Sequence, residues 1–121
     1  MITRVQLVSI PVADQDRAFA FYTKKLGFEL VNDQEFGDGD RWLQLGIPGG
    51  ETDIVLYTPE GQEDRIGTFS NVVFTAADVK ETYEELASRG VEFVEPAAEQ
   101  PWGGVQAIFK DSEGNTIVLH S

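Results

Sequence analysis

Two segments of the chain carry nearly the same pattern. Leu7 to Val31, LVSIPVADQDRAFAFYTKKLGFELV, and Asn71 to Val94, NVVFTAADVKETYEELASRGVEFV, each run apolar strand, Asp, amphipathic helix, Gly, short strand. Leu7 to Asp14 and Asn71 to Asp78 are both seven steps, whereas Asp14 to Gly27 is thirteen and Asp78 to Gly90 twelve. Beyond the helices, Asp53-Ile54-Val55-Leu56-Tyr57 is answered by Thr116-Ile117-Val118-Leu119-His120. Two halves offset by 63 or 64 positions fill the chain. Self-similarity on that scale constrains the architecture more than any local motif does.

The elements follow from periodicity. Arg4 to Val12 is an expected strand with Val8, Ile10 and Val12 facing helices. Asp14 is a good N-cap, Phe19, Tyr22 and Leu26 give the helix an apolar stripe, and Gly27 supplies its left-handed end. Phe28 to Val31 reads as a short strand, and the acidic, glycine-punctuated stretch Asn32 to Asp40 as a solvated loop or a frayed strand end. That loop lacks the residue order of a calcium-binding loop. Arg41 to Leu45 and Asp53 to Tyr57 read as a hairpin in which Leu45 faces Ile54, Gln44 Val55, Leu43 Leu56 and Trp42 Tyr57, placing the four aliphatics together.

The second half repeats this scheme. Val72, Phe74 and Ala76 face helices, and Asp78 with Glu81 forms a capping box. Val79, Tyr83 and Leu86 make the buried stripe. Gly90 stops the helix. Val91 to Val94 is a short strand, Pro96 to Pro101 a loop, Trp102-Gly103-Gly104 the opening of the next strand, and Asp111 to Gly114 the turn into Asn115 to His120. The expected fold class is α+β, βαβββ twice, within one domain spanning 1–121. Module one covers 1–58, the linker 59–68 and module two 69–121.

Charge and composition exclude several partners. Nine basic against twenty-one acidic residues give a net charge of −12, which repels phosphate backbones and favours cationic ligands. Nucleic acid is not an expected partner. Cysteine is absent, which removes disulfides and thiolate metal sites. No apolar run reaches membrane-spanning length, and no apolar signal segment precedes the first strand. The expectation is a cytoplasmic protein with no membrane partner.

The strand plus Val12-Ala13-Asp14 before a helix ending Tyr22-Thr23-Lys24-Lys25-Leu26-Gly27-Phe28, with a second half carrying Phe-x-Asp-x-x-Gly-Asn at Phe109 to Asn115, resembles the vicinal oxygen chelate superfamily. That group includes glyoxalase I, extradiol dioxygenases and bleomycin resistance proteins. The resemblance spans essentially the whole chain. It implies paired βαβββ modules with curved mixed sheets enclosing a cleft, helices outside, and a homodimer. In metal-dependent relatives the ligands fall at positions corresponding here to Leu7, Val55, Asn71 and Val118. Three of these are aliphatic and offer no donor to a divalent ion. No metal and no cofactor are expected.

Strand alternation lists what the cleft face carries: Leu7, Ser9, Trp42, Gln44, Asp53, Val55, Tyr57, Asn71, Val73, Thr75, Thr116, Val118 and His120. Aliphatics mixed with large aromatics and neutral hydrogen-bonding groups suit a small organic ligand. The candidate ligand-binding residues are Trp42, Gln44, Asp53, Tyr57, Asn71, Thr75, Trp102 and His120. Trp42 beside Tyr57 is either a stacking wall or cleft filling, and Trp102 either caps the rim or packs its loop. Three functions follow. The favoured one is metal-independent sequestration of a cationic or aromatic compound. Another is a metal-free isomerase with His120 as general base, assisted by Tyr57 or Asp53. The third is the metal-dependent glyoxalase-like lyase or dioxygenase of the wider family.

Overall fold

The computed structural model describes residues 1–121, and in it both sequence copies become the same succession of elements. The chain divides into two compact units, Met1–Ile66 and Gly67–Ser121. The first contains β1 (Leu7–Pro11), α1 (Gln15–Ala20), a turn of π-helix over Phe21–Lys25, β2 (Glu29–Phe36), β3 (Asp40–Gly46) and β4 (Asp53–Tyr57). The second contains β5 (Phe69–Thr75), α2 (Val79–Ser88), β6 (Glu92–Glu99), β7 (Val105–Lys110) and β8 (Thr116–His120). Each unit has one four-stranded sheet, ordered β1-β4-β3-β2 and β5-β8-β7-β6. In each, the first and last strands pair in parallel and the others antiparallel, so both sheets are mixed.

Both α-helices start where expected, with the Asp14 carboxylate accepting from Arg17 N and the Asp78 carboxylate from Glu81 N, each at 3.0 Å. Both are ended by glycines in the left-handed region, Gly27 at φ 81° and Gly90 at φ 88°. The extra residue between Asp14 and Gly27 is taken up by the π turn, where Leu26 N donates to Phe21 O across five residues. That turn shifts the buried stripe from the expected Phe19, Tyr22 and Leu26 to Ala18, Phe21 and Tyr22. Phe19 and Leu26 are left half-buried.

Strand extends into the stretch expected as a loop or a frayed strand end, and into one expected as a loop. β2 runs through the acidic stretch to Phe36 and pairs with β3 from Glu29↔Gly46 to Phe36↔Asp40. Backbone pairing does not require apolar side chains, which is why the composition misled. β6 similarly runs through Pro96, with register shifts on either side of Glu95. Proline is tolerated there because β6 is an edge strand with bulges to absorb a missing donor.

In the first unit the core is built from Ile10, Val12, Tyr22, Leu43, Leu45, Ile54 and Leu56, all essentially inaccessible. In the second it is Val79, Leu86, Ala107, Phe109, Ile117 and Leu119. There Tyr83 meets Phe93 edge to face at 4.5 Å between ring centres, and Phe93 meets Phe109 at 5.7 Å. The Phe109-x-Asp111-x-x-Gly114-Asn115 motif is a structural lock. Buried Asp111 Oδ1 accepts from Glu113 N and Asn115 N, while Asn115 Nδ2 donates to Asp111 Oδ2 and Asn115 Oδ1 accepts from Gly67 N. Each buried polar atom of the pair thus has a partner, without which burial would be unfavourable.

Candidate functional site

The face of the first sheet turned away from its core carries a chain of polar contacts. Trp42, Gln44 and Asp53 emerge on it because strand alternation sends Leu43, Leu45 and Ile54 the other way. Trp42 Nε1 donates to Gln44 Oε1 at 3.0 Å, and Gln44 Nε2 donates to Asp53 Oδ2 at 2.7 Å. These bonds fix the Gln44 amide orientation and hold the indole by its edge.

Beside this chain lies an open recess of about 400 Å³, in the size range of small-molecule sites. Phe36, Trp42 and Tyr57 supply aromatic surface, Val55 an apolar patch, and Ser9 and Thr58 hydroxyls. Asp40 and Arg41 complete the lining. The Arg41 guanidinium is bound to Asp33 through two bonds, Nε to Oδ1 at 2.8 Å and Nη2 to Oδ2 at 2.9 Å, and to Asp16 at 2.7 Å. Its hydrogen bonds hold the Asp33 carboxyl below the usual carboxylate range, and Asp33 and then Asp16 raise the guanidinium's own pKa. Two carboxylates thus answer the Arg41 charge, and the recess keeps the carboxylate of Asp40.

The recess sits where the paired register of β3 and β4 ends. Their ladder consists of Leu45↔Ile54 and Gln44↔Val55. The expected continuation to Leu43↔Leu56 and Trp42↔Tyr57 is not made. Asp53 N donates to Gln6 O and Tyr57 O accepts from Val12 N, so the odd-numbered residues of β4 bond towards β1 and Leu56 is turned towards β3. The Leu56 carbonyl accepts instead from Gln15 Nε2 at 2.9 Å, and the same nitrogen lies 3.2 Å from Arg41 O. A helix side chain therefore occupies the place of a ladder bond.

Of the residues expected to bind ligand, the first unit brings together Trp42, Gln44, Asp53 and Tyr57. The others lie in the second unit. Thr75 and His120 are register partners on β5 and β8. Asn71 has φ 63° and stands in a bulge, where register jumps from Phe69↔Thr116 to Val73↔Val118. Alternation therefore does not carry back through the bulge to Asn71, and Asn is among the few non-glycine residues that adopt this conformation readily. Trp102 is exposed in the loop between β6 and β7. The His120 ring has Nδ1 2.8 Å from Ser121 O, and a β-carbon on Gly104 would fall 2.7 Å from its Cε1. The ring thus depends on a glycine opposite it.

Sequence reasoning missed Phe36, Asp40, Arg41 and Thr58 as lining residues, having placed Phe36 and Asp40 in a loop or a frayed strand end. A lone Phe inside a polar run was the available signal. Gln15 was missed as well, although its counterpart in the repeat is Val79, an apolar residue. The positions matching the family's metal ligands do not fit a divalent ion. Leu7 and Val55 in the first unit and Val118 in the second are hydrocarbon, and no three His, Cys, Asp or Glu side chains converge to hold a metal.

Comparison with known proteins agrees with this architecture. The model of the Glyoxalase/Bleomycin resistance protein/Dioxygenase superfamily matches residues 4–119. YetH of Bacillus subtilis (strain 168), described as uncharacterized, is 33% identical over 119 residues, covering 98% of each chain. The solved structure of a superfamily member from Sphaerobacter thermophilus DSM 20745 has a TM-score of 0.90 at 34% identity, over 98% of this chain and 97% of that one. TnmS3, an antibiotic binding protein from Streptomyces sp. CB03234, has a TM-score of 0.83 at 36% identity, over 98% and 95%.

Proposed function

Because the chain belongs to the Glyoxalase/Bleomycin resistance protein/Dioxygenase superfamily, we propose that it is a metal-independent binding protein that sequesters a small aromatic or cationic compound. The observation that carries this reading is the recess in the first unit, with three aromatic side chains, two hydroxyls and a carboxylate around an apolar patch. Trp42 and Tyr57 are the stacking surfaces, worth about 0.5 to 2 kcal/mol against a ring or a cation. Asp40 contributes charge, reinforced by the acidity of the whole chain. Gln44 and Asp53 hold Trp42 in place. We also propose ligand contacts at Asn71, Thr75, Trp102 and His120 on the second unit by itself. TnmS3, with the same fold, is an antibiotic binding protein. Capture of an organic molecule is proposed here without naming it.

The unfit donor set at Leu7, Val55, Asn71 and Val118 supports metal independence. A second copy of the chain is the proposed partner, since Leu30, Val31, Phe69 and Val73 leave half or more of their surface exposed on strands. Sedimentation at micromolar concentration checks this, and a monomer throughout would refute it.

The test of binding is a titration of the protein with planar aromatic cations and neutral aromatics, followed by tryptophan emission. Saturable quenching that Trp42→Ala abolishes is expected. No response across both series would overturn the binding reading. Elemental analysis of the purified protein checks the other half. Stoichiometric zinc, nickel, manganese or iron would overturn metal independence.

A further inference from the structure

We propose that Gln15 is the positioning residue of the recess, taking the carbonyls of Leu56 and Arg41 out of the β3–β4 ladder beside Trp42 and Tyr57. The proposal rests on the recess being the ligand site, but its central test does not. A glutamine amide carries two N–H donors, and here the nitrogen reaches two carbonyls, Leu56 O at 2.9 Å and Arg41 O at 3.2 Å, one on each strand. An unmade ladder would leave these carbonyls without a donor beneath the helix, which is unfavourable. The amide makes the shortened ladder a satisfied one. It therefore replaces a strand-to-strand bond by a strand-to-helix one beside Trp42 and Tyr57, which line the recess.

The second half is the internal control. Asp14 and Asp78 are equivalent N-caps, so Gln15 corresponds to Val79, which is buried and has no donor. There the β7–β8 ladder does not end early. It runs from Lys110↔Thr116 through Phe109↔Ile117, Ile108↔Val118 and Ala107↔Leu119 to Gln106↔His120. The last of these is the counterpart of Trp42 and Tyr57. With an amide at the helix start the ladder ends after two pairs, and with an isopropyl group it runs through five, while both strand pairs stay side by side. Arg41 then ties β3 down, since its bonds to Asp33 on β2 and to Asp16 on α1 fix the residue next to Trp42.

The ligand-free test uses Trp102→Phe as background, so that emission reports Trp42 alone, and dye affinity is measured with Trp102 in place. Gln15→Leu removes both donors, and Gln15→Glu keeps the shape but offers only acceptors when ionised. Without ligand, both variants should change the Trp42 emission maximum and its acrylamide quenching while circular dichroism shows a folded chain. Gln15→Lys, whose ammonium can donate to both carbonyls, should restore most of the original signal. With the planar cation acriflavine as probe, affinity should fall about tenfold in the first two variants, equivalent to ~1.4 kcal/mol. If Trp42 quenching is unchanged in Gln15→Leu, the positioning role is overturned, whatever the dye does. If neither the dye nor any compound of the two aromatic series binds the protein with Trp102 in place, the binding reading falls while quenching still judges Gln15. Should the variants not fold, hydrogen exchange on the unmodified protein decides. The Leu43 amide should exchange much faster than that of Leu45, whereas Ala107 and Phe109 should be protected alike. Equal protection of Leu43 and Leu45 would overturn the early end of the ladder.

Discussion

In the first half the ladder between the third and fourth strands stops at Gln44↔Val55, and in the second the equivalent ladder runs on to Gln106↔His120. The side chains around these ends differ accordingly. Trp42, Gln44 and Asp53 form a bonded row in one half, where the other has Gln106, Ile108 and Thr116. The core beneath differs too, since fully buried Leu43 corresponds to fully buried Ala107. The turns also differ. Asp111 and Asn115 lock the second half's hairpin, while the first uses the glycine-rich Ile47 to Thr52. A duplicated scaffold can thus keep its topology while a few polar and aromatic exchanges confine a recess to one copy.

Exchanging these positions should break the comparison, and the core pair should do so most strongly. Leu43→Ala, which gives the first half the second's residue, should lower stability by about 2 to 5 kcal/mol in urea unfolding. The reverse change, Ala107→Leu, should cost about 1 to 3 kcal/mol by overpacking. Next is the turn lock. Asn115→Ala takes the side-chain acceptor from Gly67 N and the amide donor from Asp111 Oδ2, and a loss of about 1 to 3 kcal/mol is expected by the same measurement. A loss below that range would mean the lock is replaceable by water.

Trp42→Ala should weaken binding of an aromatic cation by about 0.5 to 2 kcal/mol, read by calorimetry, whereas Gln106→Ala should leave it unchanged. Equal losses would erase the distinction between the halves. The smallest effect belongs to the Arg41 cluster. Asp33→Asn should cost about 0.2 to 1 kcal/mol, since the pair is near the surface and screened by salt. Because Arg41 lowers the Asp33 pKa, the stability it contributes is present above the ordinary value of 3.8 and is lost as pH falls through the lowered one. The difference between parent and Asp33→Asn, followed by thermal unfolding, should therefore shrink in acid and stay flat near neutrality.

Much of the fold could be read from local pattern. Asp14, Asp78, Gly27 and Gly90 marked both helices, and the Leu45↔Ile54 register followed from putting four aliphatics on one face. Even the π turn had a trace, in the single extra step between Asp14 and Gly27. Less legible were β2 beyond Val31 and β6 through Pro96, because their pairing is made by backbone groups that every residue carries. Trp42, Gln44, Asp53 and Tyr57 were placed on one face by alternation alone. Their bonds to one another, and the roles of Phe36, Arg41 and Gln15, were not.

Periodicity and repetition were therefore enough for the order of elements, the two sheets, the helix ends and the apolar faces, since each of these depends on neighbours a few residues away. Where the β3–β4 ladder ends depends on a competition across the fold. The carbonyl of Leu56 can take its proton from Leu43 or from Gln15, which lies 41 residues away in the chain, and only the packed helix decides which donor reaches it.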